Sequence, residues 1–345
     1  MKSPPVSVII VTYNSKDYIS QCLDSVLAIS YKPVEIIIVD NNSTDVTRTI
    51  LSKYKARVKL ILSEKNLGYA EGNNLGINSS IGEYIFLLNP DTLVEKDFLE
   101  PLVYAMETDK QIAVCQPAVY LLQDPTKLNL TGKRTHFLGF DWIKDYNSSS
   151  LPPSGNITSF SGCGVLLKRK ILKRTGLFDP EYFMYYEDSD LSWRLKLFGY
   201  KIEFVPTSKM YHDYKYIPVE NYQPLKKKLF YNERNRLLTI FKNYSINTLL
   251  LILPSMIFME IGLVLLSFSE GWVSEKLRSY FSIWQLLPHI QKERNSIQKM
   301  RVVSDKDIVR DYENEITFEK FNNIVMKILV NPVLSFYWYL VRRYI

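Results

Sequence analysis

Four short apolar runs near the amino terminus constrain the fold of this chain more than any other feature. They cover residues 6–11, 34–39, 58–62 and 84–88, and most of their residues are β-branched, leucine or aromatic. Apolar runs of this length, separated by helical segments, are typical of strands that are buried on both faces. The pattern therefore predicts a mostly parallel sheet with helices on both sides.

Helical spacing lies between these runs, and further elements follow them. We predict helices over 17–29, 43–54, 72–79 and 189–198, the last ending at Gly199. A strand-like run at 165–167 follows Ser161-Gly162-Cys163-Gly164. Residues 124–157 carry prolines and glycines at irregular intervals, so we expect a mobile loop there that borders the site.

The composition changes after about residue 215. Residues 249–268 are almost all apolar apart from Pro254 and Glu260, and a second apolar stretch covers 324–340. We therefore expect an α/β catalytic domain at 1–215, a boundary near 215–221, and a helical membrane-associated region at 216–345.

The stretch 249–268 is long enough to span a bilayer. Basic residues occur on both sides of it, which favours a re-entrant or in-plane hairpin that is kinked at Pro254 and has both ends in the cytoplasm. A true crossing that returns through 324–340 and a buried core helix are the alternatives. Because the basic flanks attract anionic headgroups, we expect membrane lipids as partners and a location at the cytoplasmic face of the cell membrane.

Charge and cysteine content narrow the partners further. The formal net charge of +7 favours anionic ligands or surfaces, but no nucleic-acid-binding motif is present, so we expect no nucleic acid partner. The 3 cysteines are widely spaced, which predicts a reducing compartment and no disulfide framework. The first apolar run is too short to be a signal peptide.

Polar residues directly follow three of the predicted strands, at the carboxyl ends where sheets of this kind bind ligands. No Gly-x-Gly-x-x-Gly sequence follows the first strand, so a dinucleotide site is not expected. A glycine-bearing segment at 66–76 and an acidic run at 187–190 complete the set. The three strand-end runs are Thr12-Tyr13-Asn14, Asp40-Asn41-Asn42-Ser43 and Asn89-Pro90-Asp91.

In this order, the five patterns resemble glycosyltransferase family 2 over residues 5–215, and the layout is similar to that of its rhamnosyltransferase-like members. The resemblance implies the GT-A fold, a Rossmann-like mixed sheet, and a nucleotide-diphosphate sugar as the donor. It also implies which residues bind that donor. These are Thr12, Tyr13, Asn14, Asp40, Asn42, Asn66, Gly68, Asn73, Asn89 and Asp91.

Asn89-Pro90-Asp91 stands where the family has its Asp-x-Asp motif. The resemblance implies that Asp91 binds Mg²⁺ or Mn²⁺, since these ions prefer oxygen ligands and bridge substrate phosphates. Asn89 supplies only an amide oxygen, which reduces the negative charge at the metal. The resemblance also suggests His212 as a further metal ligand. A plain Pro-Asp turn and a structural histidine are the alternative interpretations.

The acidic run at 187–190 is the expected source of the catalytic base. By resemblance Asp188 takes the proton of the acceptor hydroxyl, and Asp190 and Glu187 are the next candidates. Three acids within four residues favour a raised pKa for one of them. Acids are also common at the start of a helix for structural reasons alone.

Two further groups are expected near the sugar. Arg194 follows Asp190 by four residues, so it either joins the sugar site or orients Asp190. By resemblance Ser161, Gly162 and Cys163 border the donor sugar and the acceptor. Cys163 is expected to be a packing residue, since nothing near it in sequence would activate a nucleophile.

The resemblance implies an inverting transferase that moves one sugar, or a few, to a hydroxyl of a lipid-linked or other glycan acceptor. No Gln-x-x-Arg-Trp motif of the processive synthases follows the acidic run. The alternatives are a dolichol- or polyprenyl-phosphate sugar synthase and a catalytically inactive glycan-binding module. A nucleotidyltransferase would need a glycine-rich first loop, which is missing.

Overall fold

A computed structural model describes residues 3–214, 222–317 and 323–345, with side chains from 226 onward after the first gap. The boundary expected near 215–221 lies outside these residues. The described chain forms two compact units. Unit 1 comprises the described parts of Met1–Lys133, Ile143–Leu195 and Tyr200–Lys215, and unit 2 those of Arg134–Trp142, Lys196–Gly199 and Tyr216–Ile345.

Unit 1 is built on the predicted mixed α/β sheet. The strands of this sheet are β1 (Val6–Thr12), β2 (Val34–Asp40), β3 (Lys59–Leu62), β4 (Tyr84–Leu88), β5 (Thr92–Val94), β6 (Ile112–Leu121), β7 (Leu128–Leu130), β10 (Gly155–Asn156), β11 (Gly164–Lys168) and β12 (Lys201–His212). Two further strands, β8 (Lys133–Thr135) and β9 (Asp141–Ile143), form a separate pair. The main order is β10-β12-β6-β11-β4-β1-β2-β3. The four predicted strands are parallel, and β11 pairs antiparallel with both β4 and β6.

Helices cover both faces of this sheet, as the apolar runs predict. Val8 and Ile10 of β1 enter one buried cluster, and Ile9 enters the other. Because both faces of β1 are buried, the whole strand must be apolar. The helices of this part of the chain are α1 (Ile19–Leu27), α2 (Thr47–Ser52), α3 (Gly68–Asn78), α4 (Leu99–Thr108), α5 (Arg169–Thr175) and α6 (Glu187–Leu197).

Two local predictions differ from the structure. Helix α2 begins at Thr47 rather than near residue 43, because the Asp45 carboxylate accepts a hydrogen bond from the Thr47 N–H at 2.9 Å. The prediction of a mobile loop at 124–157 is wrong, because the backbone there forms several short strands. This region contains β7 to β10, and Leu130 and Phe137 within it are buried. Short strands of two or three residues give too little periodicity to be seen in sequence.

Unit 2 is helical in its described residues after the first gap. Its helices are α7 (Tyr222–Asn243), α8 (Ile246–Ser269), α9 (Val273–Gln285), α10 (Leu287–Met300), α11 (Asp305–Val309) and α12 (Asn331–Val341), the last preceded by a π-helical turn at Met326–Val330. Among the described residues α8 alone is long and apolar enough to cross a membrane by length and composition. The hairpin expected at Pro254 is absent, because α8 continues through that proline and the chain turns only after Ser269.

Candidate active site

The carboxyl ends of β1 and β2 bring the first two polar runs together. Thr12 and Asp40 are paired in register, and the Asn41 N–H donates to the Thr12 carbonyl at 2.8 Å. The Thr12 hydroxyl is buried and has no hydrogen-bond partner. An unpaired buried hydroxyl at a ligand-binding edge is available to a bound molecule.

Asp40 is held by one carboxylate oxygen and leaves the other unpaired. Its Oδ2 accepts hydrogen bonds from Arg48 Nε at 2.6 Å and from the Ser43 N–H at 3.2 Å. Its Oδ1 is buried without a hydrogen-bond partner. The carboxylate is therefore fixed in position and still able to accept a hydrogen bond from a nucleotide base or ribose.

The other residues expected in the nucleotide loops shape the backbone there. Asn14 and Asn42 both have positive φ values, of 52° and 65°. Asn14 Oδ1 accepts from the Thr44 N–H at 2.8 Å, and Asn42 Oδ1 accepts from Arg48 Nη2 at 3.3 Å. Tyr13 is 47% exposed, so its ring is accessible for stacking against a ligand.

The glycine-bearing segment forms the start of α3. Asn66 Oδ1 accepts from the Gly68 N–H at 2.9 Å, and Asn73 Nδ2 donates to the Tyr69 carbonyl at 2.9 Å. Gly68 has a φ of +75°, and a Cβ at this position would lie 2.3 Å from the Phe183 carbonyl oxygen. Only glycine fits there, because both the backbone conformation and the close contact exclude a side chain.

Asp91 and His212 lie together because β5 pairs with β12. Thr92, which follows Asp91, is in register with His212, and the Asp213 N–H donates to the Asp91 carbonyl at 2.9 Å. His212 Nε2 lies 3.4 Å from Asp91 Oδ1, a buried oxygen without a hydrogen-bond partner. The His212 Nδ1 lies 2.9 Å from the buried Asn129 Oδ1; when Nδ1 carries the proton and donates to this oxygen, the neutral ring has an unprotonated Nε2.

This pair fits a divalent cation in its donor types and spacing. Two ligands on one octahedral ion with bonds of about 2.1 Å lie about 3 Å apart. The described residues contain no group of three or more His, Cys, Asp or Glu side chains arranged for a metal. Asp91 and His212 would therefore supply only part of the ligands of such a cation, and phosphate oxygens or water would supply the rest.

Asp188 lies on the second residue of α6, and both of its oxygens are hydrogen-bonded. Lys133 Nζ lies 2.6 Å from Oδ1, and the Gly162 N–H donates to Oδ2 at 3.0 Å. The Lys133 and Asp188 side chains are mostly buried. These contacts fix the carboxylate beside the 161–163 segment.

Glu187 differs from Asp188 in its surroundings. Burial, and secondarily the adjacent Asp188 charge, raises the pKa of Glu187 to about 8. Its Oε2 is buried and has no hydrogen-bond partner. Burial is thus the main cause of the raised pKa of Glu187 and the neighbouring acid a lesser one, while Asp188 pairs with a cation.

Asp190 and Arg194 have a structural role in this arrangement. Arg194 Nε donates to Asp190 Oδ2 at 2.9 Å, and its other nitrogens donate to the carbonyls of Thr175 and Leu177. Both side chains are almost completely buried. Arg194 thus orients Asp190 and anchors the preceding loop with three hydrogen bonds, which matches the second of the two roles expected for it.

The 161–163 segment connects the Asn89-Pro90-Asp91 turn to Asp188. The Asn89 N–H donates to the Cys163 carbonyl at 2.9 Å, while Gly162 contacts Asp188 as described above. A Cβ on Gly162 would lie 2.4 Å from the Tyr69 hydroxyl, which itself donates to the Gly162 carbonyl at 2.5 Å. Burial raises the pKa of the Cys163 thiol to about 12, which suits a packing residue and not a nucleophile.

Four residues contact the expected site residues, but no motif around them in the sequence indicates this role. They are Arg48 beside Asp40, Lys133 beside Asp188, Asn129 beside His212, and Gln116, whose Oε1 accepts from the Ser161 N–H at 2.7 Å. Three of these four contacts join residues more than 40 positions apart. A cavity of about 480 Å³ among the described residues lies elsewhere, where it includes Val34 and Lys59 at the amino-terminal ends of β2 and β3.

Comparison with known proteins finds one matching family model and several relatives. The model of "Glycosyl transferase family 2" matches residues 7–176. A poly-β-1,6-N-acetyl-D-glucosamine synthase of Staphylococcus epidermidis is 30% identical over 203 residues, which cover 58% of this chain and 48% of that protein. The synthase of Staphylococcus aureus strain MSSA476 is 27% identical over 205 residues, with the same coverage of 58% and 48%. The chain thus spans about half the length of these relatives.

Two solved structures share the fold. GalNAc-T7 with UDP, GalNAc and Mn²⁺ superposes with a TM-score of 0.59 at 17% identity, covering 71% of this chain and 49% of that one. A mannosyltransferase from Pyrobaculum calidifontis with GDP-Man and Mn²⁺ has a TM-score of 0.51 at 15% identity, covering 98% and 88%. The relatives named above are not rhamnosyltransferases, so they do not support that expected subgroup. Residues 7–176 thus match the family 2 glycosyltransferase model, and the chain shares with these structures a mixed α/β sheet of the GT-A type, which a helical region follows.

Proposed function

We propose that this chain is an inverting, metal-dependent transferase that moves one sugar, or a few, from a nucleotide-diphosphate sugar to an acceptor hydroxyl. One observation carries the proposal. The Asp91–His212 pair and Asp188 are linked by the contacts of Asn89 with Cys163 and of Gly162 with Asp188. A metal-binding pair next to a fixed carboxylate is what diphosphate departure and hydroxyl deprotonation require.

The nucleotide would bind at the ends of β1 and β2. The unpaired Asp40 Oδ1 and Thr12 hydroxyl would bond to the base or ribose, and Tyr13 would contact the nucleotide from the exposed side. Asn14, Asn42, Asn66, Gly68 and Asn73 would hold the surrounding loops in shape. Arg48 would keep Asp40 oriented whether or not a nucleotide is bound.

Asp91 and His212 would hold Mg²⁺ or Mn²⁺ against the donor diphosphate. The bound ion offsets the negative charge that develops as the nucleoside diphosphate leaves, so no protein acid is needed there. Asn89 would contact the donor sugar or the ribose through its amide. Asn129 would keep the His212 ring in the tautomer that presents Nε2.

Asp188 would take the proton from the acceptor hydroxyl as that oxygen attacks the anomeric carbon. The Gly162 N–H and Lys133 orient its carboxylate, which keeps further lone pairs for the acceptor. A single displacement inverts the configuration at the anomeric carbon. Glu187, with a pKa of about 8, would stay mostly protonated near neutral pH and would not add a second negative charge.

The donor sugar and the acceptor are inferred from the relatives, the sequence motifs and the apolar helix. The named relatives make an N-acetylglucosamine polymer, which favours an N-acetylhexosamine donor, whereas the motif layout favours a deoxyhexose. The missing Gln-x-x-Arg-Trp motif favours a short product over a polymer. We propose a lipid-linked or other glycan acceptor at the cytoplasmic face of the membrane, given the apolar helix α8.

A thermal-shift screen of nucleotide sugars with Mn²⁺ tests the proposal first. One nucleoside class should stabilise the protein, and EDTA should reduce that stabilisation. Transfer assays with that donor then separate the alternatives. Sugar transfer to polyprenyl phosphate alone would favour a lipid-phosphate synthase, and donor binding without transfer to any acceptor would favour an inactive glycan-binding module. The absence of any nucleotide-dependent shift would contradict the whole proposal.

A further inference from the structure

Unit 2 exposes an unusual amount of apolar surface on three of its segments. Most of the exposed large hydrophobic side chains in the described chain lie on these three segments. We call this set of exposed side chains the apolar platform. On α8 they are Ile246, Leu250, Leu253, Ile257, Phe258, Ile261, Leu265 and Phe268; on α9 they are Leu277, Phe281 and Trp284; near the carboxyl terminus they are Ile324, Val325, Ile328, Leu329, Val333, Phe336, Tyr339, Leu340 and Tyr344.

The platform on α8 follows helical spacing along its whole length. Seven of its exposed side chains, from Ile246 to Phe268, recur every three or four residues, and Phe258 lies beside Ile257. The residues between them, such as Thr248, Met256 and Leu263, are buried inside the unit. One face of α8 thus belongs to the protein interior, and the opposite face is a continuous apolar stripe.

The only charge in α8 points away from this stripe. Glu260 pairs with Arg236 of α7 and with Lys276 of α9 at 2.7 Å, and it accepts a hydrogen bond from the Tyr280 hydroxyl at 2.6 Å. Glu233 of α7 completes the group by pairing with Lys276 and Arg236. Two acids and two bases balance inside the unit, so the exposed face of α8 carries no charge.

The most exposed charges of the platform segments are positive. They belong to Arg278, Lys327, Arg342 and Arg343, whereas the acids of 246–287, which are Glu260, Glu270 and Glu275, are only partly exposed. Aromatic side chains lie among them, including Trp284 and Tyr339. Apolar stripes with aromatic and basic residues at their margins suit the headgroup boundary of an anionic bilayer.

The partners of α8 favour a position in the plane of the membrane over a crossing. Helix α8 packs against α9 and α12. With 13 residues, α9 is about 20 Å long, well short of a hydrocarbon core of about 30 Å. Helix α9 also contains Glu275, Lys276 and Arg278. A crossing α8 would draw this short, charged partner into the hydrocarbon.

We infer that the apolar platform rests in one leaflet of an anionic bilayer, with α8 parallel to the membrane surface. The lipid acyl chains cover the α8 stripe, and the exposed arginine and lysine side chains contact anionic headgroups. This inference concerns where the protein is anchored, and it holds whether or not the proposed reaction is correct.

Vesicle flotation of the full-length protein tests the lipid contact. The protein should float with phosphatidylcholine vesicles that contain phosphatidylglycerol and float less with pure phosphatidylcholine. The triple variant Leu250→Gln, Ile257→Gln, Ile261→Gln should reduce flotation on the order of tenfold or more, since it removes apolar contacts from the centre of the stripe. The matched control Ile81→Gln, Tyr104→Gln changes exposed side chains of unit 1 and should float like the parent. Equal flotation of the parent and the triple variant would overturn the inference.

Site-directed labelling tests the orientation without disturbing the stripe. Cys22, Cys115 and Cys163 are all buried, so a single introduced cysteine is the accessible thiol of the described chain. Cysteines at Asn247 and Ser269, the exposed ends of α8, should react with a membrane-impermeant maleimide from the same side of sealed vesicles. Reaction from opposite sides would establish a crossing and overturn the in-plane arrangement, even if flotation behaves as expected.

Discussion

Lys133 Nζ lies 2.6 Å from Asp188 Oδ1, and this ion pair joins a residue of β8 to the second residue of α6. The Gly162 N–H holds the other carboxylate oxygen at 3.0 Å. The expected base is thus held by two groups from outside the acidic run, together with the Ser189 N–H, which donates to Oδ1 at 2.8 Å. Lys133 is the only charged group among these three donors.

The first prediction concerns this lysine. Lys133→Met should lower kcat by about tenfold to a hundredfold with little change in the KM for the donor, because the carboxylate loses its orientation while the nucleotide pocket stays intact. Lys133→Arg should recover part of the loss. Steady-state kinetics on the three proteins measure both constants. A rise in the KM for the donor without a change in kcat would instead assign Lys133 to donor binding.

A second prediction separates Asp188 from its neighbour. Asp188→Asn should lower turnover by about two to four orders of magnitude, because the amide cannot accept the hydroxyl proton. Nucleotide-sugar binding, measured by calorimetry, should stay near normal. Glu187→Gln is the matched control, and it should retain most activity because Glu187, with a pKa of about 8, is already largely protonated near neutral pH. The reverse pattern would make Glu187 the base.

The raised pKa of Glu187 also predicts how stability depends on pH. The folded protein holds this proton up to about pH 8, while the unfolded chain releases it near the ordinary value of 4.5. The Glu187 contribution is therefore fully present below pH 4.5 and is lost as the pH rises toward 8. Relative to the parent, Glu187→Gln should gain melting temperature as the pH rises from 5 to 8. A constant difference in melting temperature would show that the carboxyl titrates normally.

Metal binding should depend on Asn129, a residue that touches His212 and not the expected ion. Asn129→Leu should lower the apparent affinity for Mn²⁺ in donor binding by about tenfold to a hundredfold, since the His212 ring loses the acceptor that fixes its tautomer. Asn129→Asp keeps an acceptor and should preserve the affinity. Asp91→Ala removes the proposed direct ligand and should abolish the dependence. Thermal shifts with and without EDTA provide the measurement, and an unchanged shift in Asp91→Ala would remove the metal assignment.

The nucleotide pocket offers a test at the Arg48–Asp40 pair. Arg48→Met should weaken nucleotide binding about tenfold, because a charge-assisted hydrogen bond no longer orients the carboxylate. Lys53→Met, just after the same helix α2, alters an exposed cation that has no recorded contact with Asp40 and should bind nucleotide like the parent. Equal weakening in both variants would point to the loss of surface charge rather than to the orientation of Asp40.

The strands that carry the site were predictable because both of their faces are buried. Val8 and Ile9 enter different apolar clusters, so β1 has no polar position until it reaches Thr12 at the site edge. The same reasoning located Asp40 and Asp91. Parallel strands end at a common edge, and polarity directly after an apolar run marks that edge.

The residues that orient these groups could not be predicted in the same way. Lys133 and Asn129 lie in the region 124–157, whose short strands show no periodicity, and their partners lie 55 and 83 positions away in sequence. Pairing at that separation is a property of the folded sheet. Arg48 is closer to Asp40, but an arginine on a short helix has no feature that distinguishes it from a solvent-exposed one.

The inward direction of Glu260 has a practical consequence for handling the protein. Since the charged cluster is mostly enclosed and the outer stripe of α8 is exposed, the contacts that hold the helices together and the apolar surface that calls for detergent lie on opposite faces of a single helix. Polar residues can then be introduced along the outer stripe while Arg236, Lys276 and Glu260 are kept. A variant made in this way would be suited to crystallisation in aqueous buffer with its catalytic sequence unaltered.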